Sequence, residues 1–375
     1  MPWKERTTMS EKRELVELAS GARANIRALC RSYGVSPTTA YKLLKRYKTS
    51  GESGLRERSR RPLSSPSRTS EELEGVIVAL RDQTHWGARK IGRRMQDLGY
   101  EKVPHSSTIH SILERNGRID LSESEHHRAW QRFEHALPND LWQMDFKGAF
   151  KTATGPCHAL TIVDDHSRFS ICLRACVDQT KETVEQQLRR VFERYGLPWR
   201  MTMDNGSPWG DDGTYRLTRT TAFLIRLGIR VSHSRPYHPQ TQGKDERFHR
   251  TLNDELLRWT TFHDLEHAQR MFDPWRDRYN LERPHHALGM DTPARHYQPS
   301  PRRMPATLPP IEYDSGTVRK VDSHGWIRFR GHKVRVGKGC IGLPVVLRPT
   351  NEGKFDVFFC HHRVAQINLH DAITD

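Results

Sequence analysis

No apolar run in this 375-residue chain approaches the roughly 20 residues needed to cross a bilayer. Its start, MPWKERTTMSEKREL, lacks the apolar core of a secretion signal. A membrane protein is therefore not expected. Cysteines are few. Six lie at positions 30, 157, 172, 176, 340 and 360, with no CxxC pair, and the only close two, Cys172 and Cys176, sit in an apolar run. That pattern is neither a disulfide framework nor a zinc knuckle, and it fits a reduced, cytoplasmic compartment. Negative charge is in deficit: 61 Lys and Arg oppose 45 Asp and Glu, a net +16. The excess recurs along the chain, which points to a polyanionic partner, nucleic acid. The hydrophobic fraction of 35% suffices for a core, and the length suggests two to four domains.

Residues 1–50 read as helices. EKRELVELAS carries Leu15 and Leu18 at helical spacing. NIRALCRSYG ends on Gly34, a C-terminal stop, and VSPTTAYKLLKRY opens with Ser36 as N-cap and Pro37 in the first turn. Helix, short turn with glycine, helix is the helix-turn-helix pattern. Its last helix offers Thr38, Thr39, Lys42 and Lys45 to phosphates or base edges. Residues 51–70 are a basic linker rich in Gly, Ser, Pro and Arg, suited equally to following DNA or to tethering. Residues 71–117 repeat the helical theme. Leu73, Val76, Ile77 and Leu80 stripe one helix, and Ile109, Ile112 and Leu113 another, capped by Ser106. Between them Arg89, Lys90, Arg93 and Arg94 flank Ile91 and Met95, as in a second DNA-binding helix-turn-helix unit. A polar linker, 118–137, follows.

Residues 138–300 alternate strand and helix signals: three strands, helix, strand, helix, strand, helix. That is the order of ribonuclease-H-like folds. A Pro-rich connector leads to 310–375, where GWIRFRGHKVRVG alternates apolar and basic residues. Ile327 and Phe329 are expected to face Val334 and Val336, with Arg328, Arg330, Lys333 and Arg335 on the other face. The expected fold class is thus multidomain: all-α helix-turn-helix modules, a central α/β core and a small C-terminal β-barrel.

Breaking a phosphodiester requires charge stabilisation on attacking and leaving oxygens, which two hard divalent ions held by carboxylates supply. Three acids stand where side chains converge. Asp145 lies in the first strand, Asp204 ends the fourth before Asn205-Gly206, and Glu246 opens a helix after Gly243. Asp245 competes with Glu246, but Phe248, Leu252, Leu256 and Trp259 define a buried stripe that Asp245 approaches more closely, leaving Glu246 beside Arg250 and Asn253. The Asp164-Asp165 pair offers a second metal-binding alternative, but it reads first as a strand-end turn capped by carboxylates.

The segments MDFKG, MDNGSP and HPQTQGKDERFHRTL, with IVDDHSRF, resemble those of retroviral-integrase-like DDE transposases of bacterial insertion sequences. The resemblance implies a ribonuclease-H-like integrase core over 138–300 and a catalytic, metal-binding triad of Asp145, Asp204 and Glu246. It implies Mg2+ or Mn2+ as cofactor, and double-stranded DNA as substrate: the inverted-repeat ends of an element and a target. It also implies a homodimer or higher oligomer on that DNA. The segment SPWGDDGTYRL makes the gap from Asp204 to Glu246 longer than is usual in the family. Lys244, Arg247 and Arg250 either hold DNA phosphates or balance the acid. His238, Gln240 and Gln242 are expected to order on DNA. The histidines of RYNLERPHHAL have no cysteine or third histidine at ligand spacing and read as packing and DNA contact rather than a metal site.

Overall fold

The computed structural model describes residues 7–57, 68–119, 134–204, 206–209, 217–233, 243–351 and 353–371. Asn205, His238, Gln240 and Gln242, most of the two linkers, and 210–216 of the inserted loop lie outside the described residues. The chain divides into two compact units, Met1–Arg68 and Thr69–Asp375.

The first unit holds α1 (Thr8–Ala19), α2 (Ile26–Ser32) and α3 (Pro37–Ser50). Ser36 caps α3 by accepting from Thr39 N at 3.2 Å, and Gly34 follows α2 at φ +64°, where a side chain would be strained. Leu15, Val16, Leu43, Leu44 and Leu55 are buried together, whereas Leu18 is exposed. Leu55 belongs to a short 3-10 turn after α3, so the folded unit runs past the residue-50 boundary.

The second unit begins with α4 (Glu71–Thr84), α5 (Ala88–Asp97) and α6 (Ser106–Arg115) around Ile77, Trp86, Ile91, Met95 and Ile109. His105, not Ser106, caps α6. A five-stranded sheet follows, in the order β3-β2-β1-β4-β5: β1 (Leu141–Thr152), β2 (Gly155–Asp164), β3 (Ser170–Cys176), β4 (Arg200–Met203) and β5 (Arg230–His233). The first three strands are antiparallel, and β4 and β5 join parallel to β1. On one face, α7 (Lys181–Tyr195) and α8 (Arg219–Arg226) bury Trp142, Met144, Met201, Leu188, Phe192 and Phe223. On the other, α9 (Gly243–Glu255) and α10 (Leu265–Leu281) bury Leu173, Phe248, Leu252, Phe272 and Trp275. The ribonuclease-H-like order expected from the sequence is the one observed.

The C-terminal region corrects one expectation. It is not a closed barrel but two open sheets around a common core. One is the hairpin of β7 (Trp326–Phe329) and β8 (His332–Arg335). The other is β11-β10-β9-β6, built of β6 (Thr317–Lys320), β9 (Pro344–Asn351), β10 (Lys354–Phe359) and β11 (His362–Asn368). Ile327 pairs with Val334, but Phe329 pairs with His332. Closure is unnecessary because α8 supplies part of the apolar cover through Ala222 and Ile225. The join is tight: a Cβ on Gly339 would stand 2.2 Å from the Thr218 backbone.

Candidate active site

The central strands set the geometry. Alternation along β1 sends Trp142 and Met144 to the α7 face, and Gln143 and Asp145 to the α9 face. β1 runs parallel to β4 with Gln143 opposite Thr202. Two residues further, Asp145 within β1 and Asp204 just past the end of β4 follow the same register onto one face. Adjacent strands are about 4.8 Å apart, so their carboxylates are neighbours. Helix α9 packs across this face of β1 and β2. Phe248 and Leu252 enter the apolar layer, and Asp245 shares their side and is fully buried. Glu246, about 100° further round the helix, is exposed in the first turn.

The charges act on one another. Burial, then the Asp204 carboxylate, pushes the Asp145 carboxyl up to about 6, and Glu246 adds to the effect. Burial also raises Asp204, against the hydrogen bond it accepts from Gly206 N at 3.1 Å. Asp245 is held well above the usual carboxylate range by burial and by Asp145. Thr161 Oγ1 donates to it at 3.1 Å and lies 2.8 Å from His249 Nε2. Burial holds that imidazole down to about 4, so it is neutral at pH 7. Asp145, Asp245 and His249 bring ligand atoms within 4.8 Å of one another. Carboxylates that raise each other's pKa are the donor set a hard divalent cation fits, since the cation reverses the repulsion.

Asp164 caps the turn after β2, accepting from Ser167 N at 2.8 Å and Asn139 N at 2.7 Å. Asp165 is also buried and pairs with Lys244. That ion pair draws Lys244 into protein contact rather than leaving it free for a phosphate. Thr38, Thr39, Lys42 and Lys45 are exposed along α3, beside Tyr41 at 58% exposure. Arg247 and Arg250 are exposed on α9, as are Arg328 and Arg330 in the C-terminal hairpin.

The α5 group departs from the DNA-binding expectation. Arg93 binds Asp97 and Asp291, Arg94 binds Glu282 at 2.7 Å, and Arg89 meets His286 at 3.2 Å. Burial brings Lys90 down to about 7. This helix docks on the segments around α10, and those acids, almost 200 residues on, gave no local signal. Trp259 also leaves the expected stripe. Helix α9 ends at Glu255, and Trp259, 61% exposed, stacks on His85 with centroids 4.5 Å apart. Sequence reading missed Gln143, Thr161 and His249. The period-two alternation of β1 was the available signal for Gln143.

Comparison with known proteins agrees with this architecture. Two integrase core domain models match residues 135–239 and 227–293. A helix-turn-helix domain model matches 11–62 and a homeodomain-like domain model 39–113. The model of the IS481 family transposase C-terminal domain matches 316–374. An uncharacterized 39.2 kDa protein of insertion element IS476 from Xanthomonas euvesicatoria is 26% identical over 64% of this chain and 69% of its own length. The Gag-Pol polyprotein of feline leukemia virus is 27% identical over 33% of this chain, which spans only 7% of that polyprotein. The simian T-cell lymphotropic virus intasome, a solved structure, aligns at 16% identity over 75% of this chain and 91% of the matched one, with a TM-score of 0.40. Integrase core and helix-turn-helix domains together define a DNA-binding transposase or integrase. Within that class, the integrase core matches, the IS481 transposase C-terminal match and the insertion-element relative support a DDE transposase of a bacterial insertion sequence.

Proposed function

We propose that this transposase binds the terminal inverted repeats of its element, cuts DNA there and joins the freed ends to a target. The observation that supports the reading is the charge coupling of Asp145 on β1 with Asp204, just after β4, and with Glu246 in the first turn of α9. These three residues supply the hard oxygens that hold Mg2+ or Mn2+. Bound there, such ions stabilise charge on the attacking and leaving oxygens of a phosphodiester. The exposed Glu246 faces the DNA side, while the strand acids form the floor. In the first step water attacks the phosphorus and the 3′-oxygen leaves, giving a free 3′-hydroxyl. In the second, that hydroxyl attacks a target phosphodiester and displaces a target 3′-oxygen. Neither step forms a protein–DNA bond, so no serine or tyrosine nucleophile is assigned.

DNA is read by exposed α3, with Thr38, Thr39, Lys42 and Lys45, and its backbone is held by Arg247, Arg250, Arg328 and Arg330. Arg89, Lys90, Arg93 and Arg94 serve docking instead. Two ends must be held together for concerted joining, so a dimer or higher oligomer on DNA is part of the proposal. Asp145→Asn, Asp204→Asn and Glu246→Gln are each expected to abolish cleavage and joining of element-end DNA, with DNA binding retained in gel shifts. Full activity of any one variant removes that residue from the triad. Cut ends without joined products would mark a nuclease instead.

A further inference from the structure

Asp165 has no place in the cleavage chemistry, yet it is 2% exposed and ionisable. A buried carboxylate is retained only with partners that compensate its desolvation. Oδ1 accepts from Gln143 Nε2 at 2.9 Å and pairs with Lys244 Nζ, and Oδ2 accepts from His135 N at 2.9 Å. The other end of the Gln143 amide, Oε1, accepts from the backbone N–H of Asp245 at 3.3 Å. That N–H lies in the first turn of α9, where helical donors lack intrahelical partners. Two links thus run from one anchor into that turn: Asp165 to Lys244, and Asp165 through Gln143 to Asp245. Gln143 also sits two residues before Asp145 on the same face of β1. Glu246, next after Lys244 and Asp245, therefore has its position fixed relative to Asp145 from both preceding residues.

We propose that Asp165 and Lys244, with Gln143 as bridge, form a latch that positions Glu246 over the strand acids. The inference rests on the reading of Asp145, Asp204 and Glu246 as cation ligands. Asp165 is a positioning residue here, and Lys244 serves the helix rather than DNA.

Lys244→Met discriminates by sign. Removing a positive charge near a cation site tightens cation binding if only the electrostatic field matters. Loss of the latch weakens it, because residues that orient ligands typically contribute 10–100-fold to metal affinity. The measurement is Mn2+ titration of the full chain by electron paramagnetic resonance, without DNA, with a thermal melt of each variant. Lys244→Met is expected to weaken Mn2+ binding about tenfold, with a cooperative melt retained. Asp165→Asn, nearly isosteric, is expected to act in the same direction. The double variant should be no worse than the poorer single one, because both break one link. Mn2+ affinity unchanged or tightened in Lys244→Met would overturn the latch, as would weaker DNA binding with unchanged Mn2+ affinity. Failure of the unaltered chain to bind Mn2+, or binding indifferent to Glu246→Gln, would remove the site reading beneath it.

Discussion

Asp145 carries a charge conflict that the metal-free protein cannot relieve. Its carboxyl titrates near 6 because of burial and the Asp204 carboxylate, against an ordinary value of 3.8. The folded state therefore binds this proton more tightly than the unfolded chain does. Its contribution to stability is complete below about pH 4 and is lost as pH rises through about 6. Above that, the ionised group costs on the order of 2 kcal/mol, discounted for its partial exposure. Asp145→Asn is thus expected to stabilise the chelator-treated protein by about 1–2 kcal/mol at pH 8 and hardly at all at pH 4.5, read from urea unfolding. Equal effects at the two pH values would contradict the repulsion. Mg2+ is expected to stabilise the unaltered chain at pH 8 and not Asp145→Asn. The three proposed acids stand out in the sequence because each sits beside a structural break or strand signal: MDFKG, MDNG and GKDER. Asp245 was recognised as the competitor nearer the buried stripe, and it is buried. Its partner His249 stands one helical turn on, at i+4, whereas Thr161 was not legible, since only the crossing of α9 over β2 brings it to Asp245.

Among the elements, α9 bears most on the site, and both of its ends are fixed by other segments. Asp165 and Gln143 hold the first turn. Near the last, Glu255 pairs with Arg283 at 2.8 Å, each side chain only 9% exposed. Arg283 comes just after α10, so the pair ties two helices of one layer. Arg283→Met leaves Glu255 buried and unpaired, which is expected to cost about 3–5 kcal/mol. Adding Glu255→Leu removes the orphaned charge and should recover most of that loss in the same denaturation assay. A small effect of Arg283→Met alone would show that Glu255 reaches water. The helices and strands themselves were readable because apolar residues recur at their own periods, as Val184, Leu188, Val191 and Phe192 do along α7. What lies between elements was not. Arg93 and Arg94 have the composition of a DNA-binding helix and the geometry of a docking one, and composition does not separate the two. The C-terminal strands likewise alternate as in a barrel, yet α8 covers part of their core.

For the whole molecule, charge and fold are divided unequally. Residues 1–68 contain 16 basic and 6 acidic residues, a net +10 of the chain's +16. They also form a compact unit with its own buried core. The remaining 307 residues carry the candidate active site and the docked α4–α6 bundle, with a net charge of only +6. Binding to DNA releases counterions, so the affinity falls with salt by a slope of about 0.9 per phosphate neutralised. The first unit should therefore supply most of the salt dependence, and the second most of the chemistry. A fragment spanning 69–375 is expected to fold, to bind Mn2+ like the full chain, and to nick DNA slowly at low salt. Its DNA affinity, followed by fluorescence anisotropy between about 50 and 200 mM KCl, should fall with a shallower slope than that of the full chain. Identical slopes would place the phosphate contacts in the second unit, on Arg247, Arg250, Arg328 and Arg330. In that case α3 would read bases while contributing little to backbone attraction, and neutral substitutions at Lys42 and Lys45 would change sequence preference without changing the salt slope.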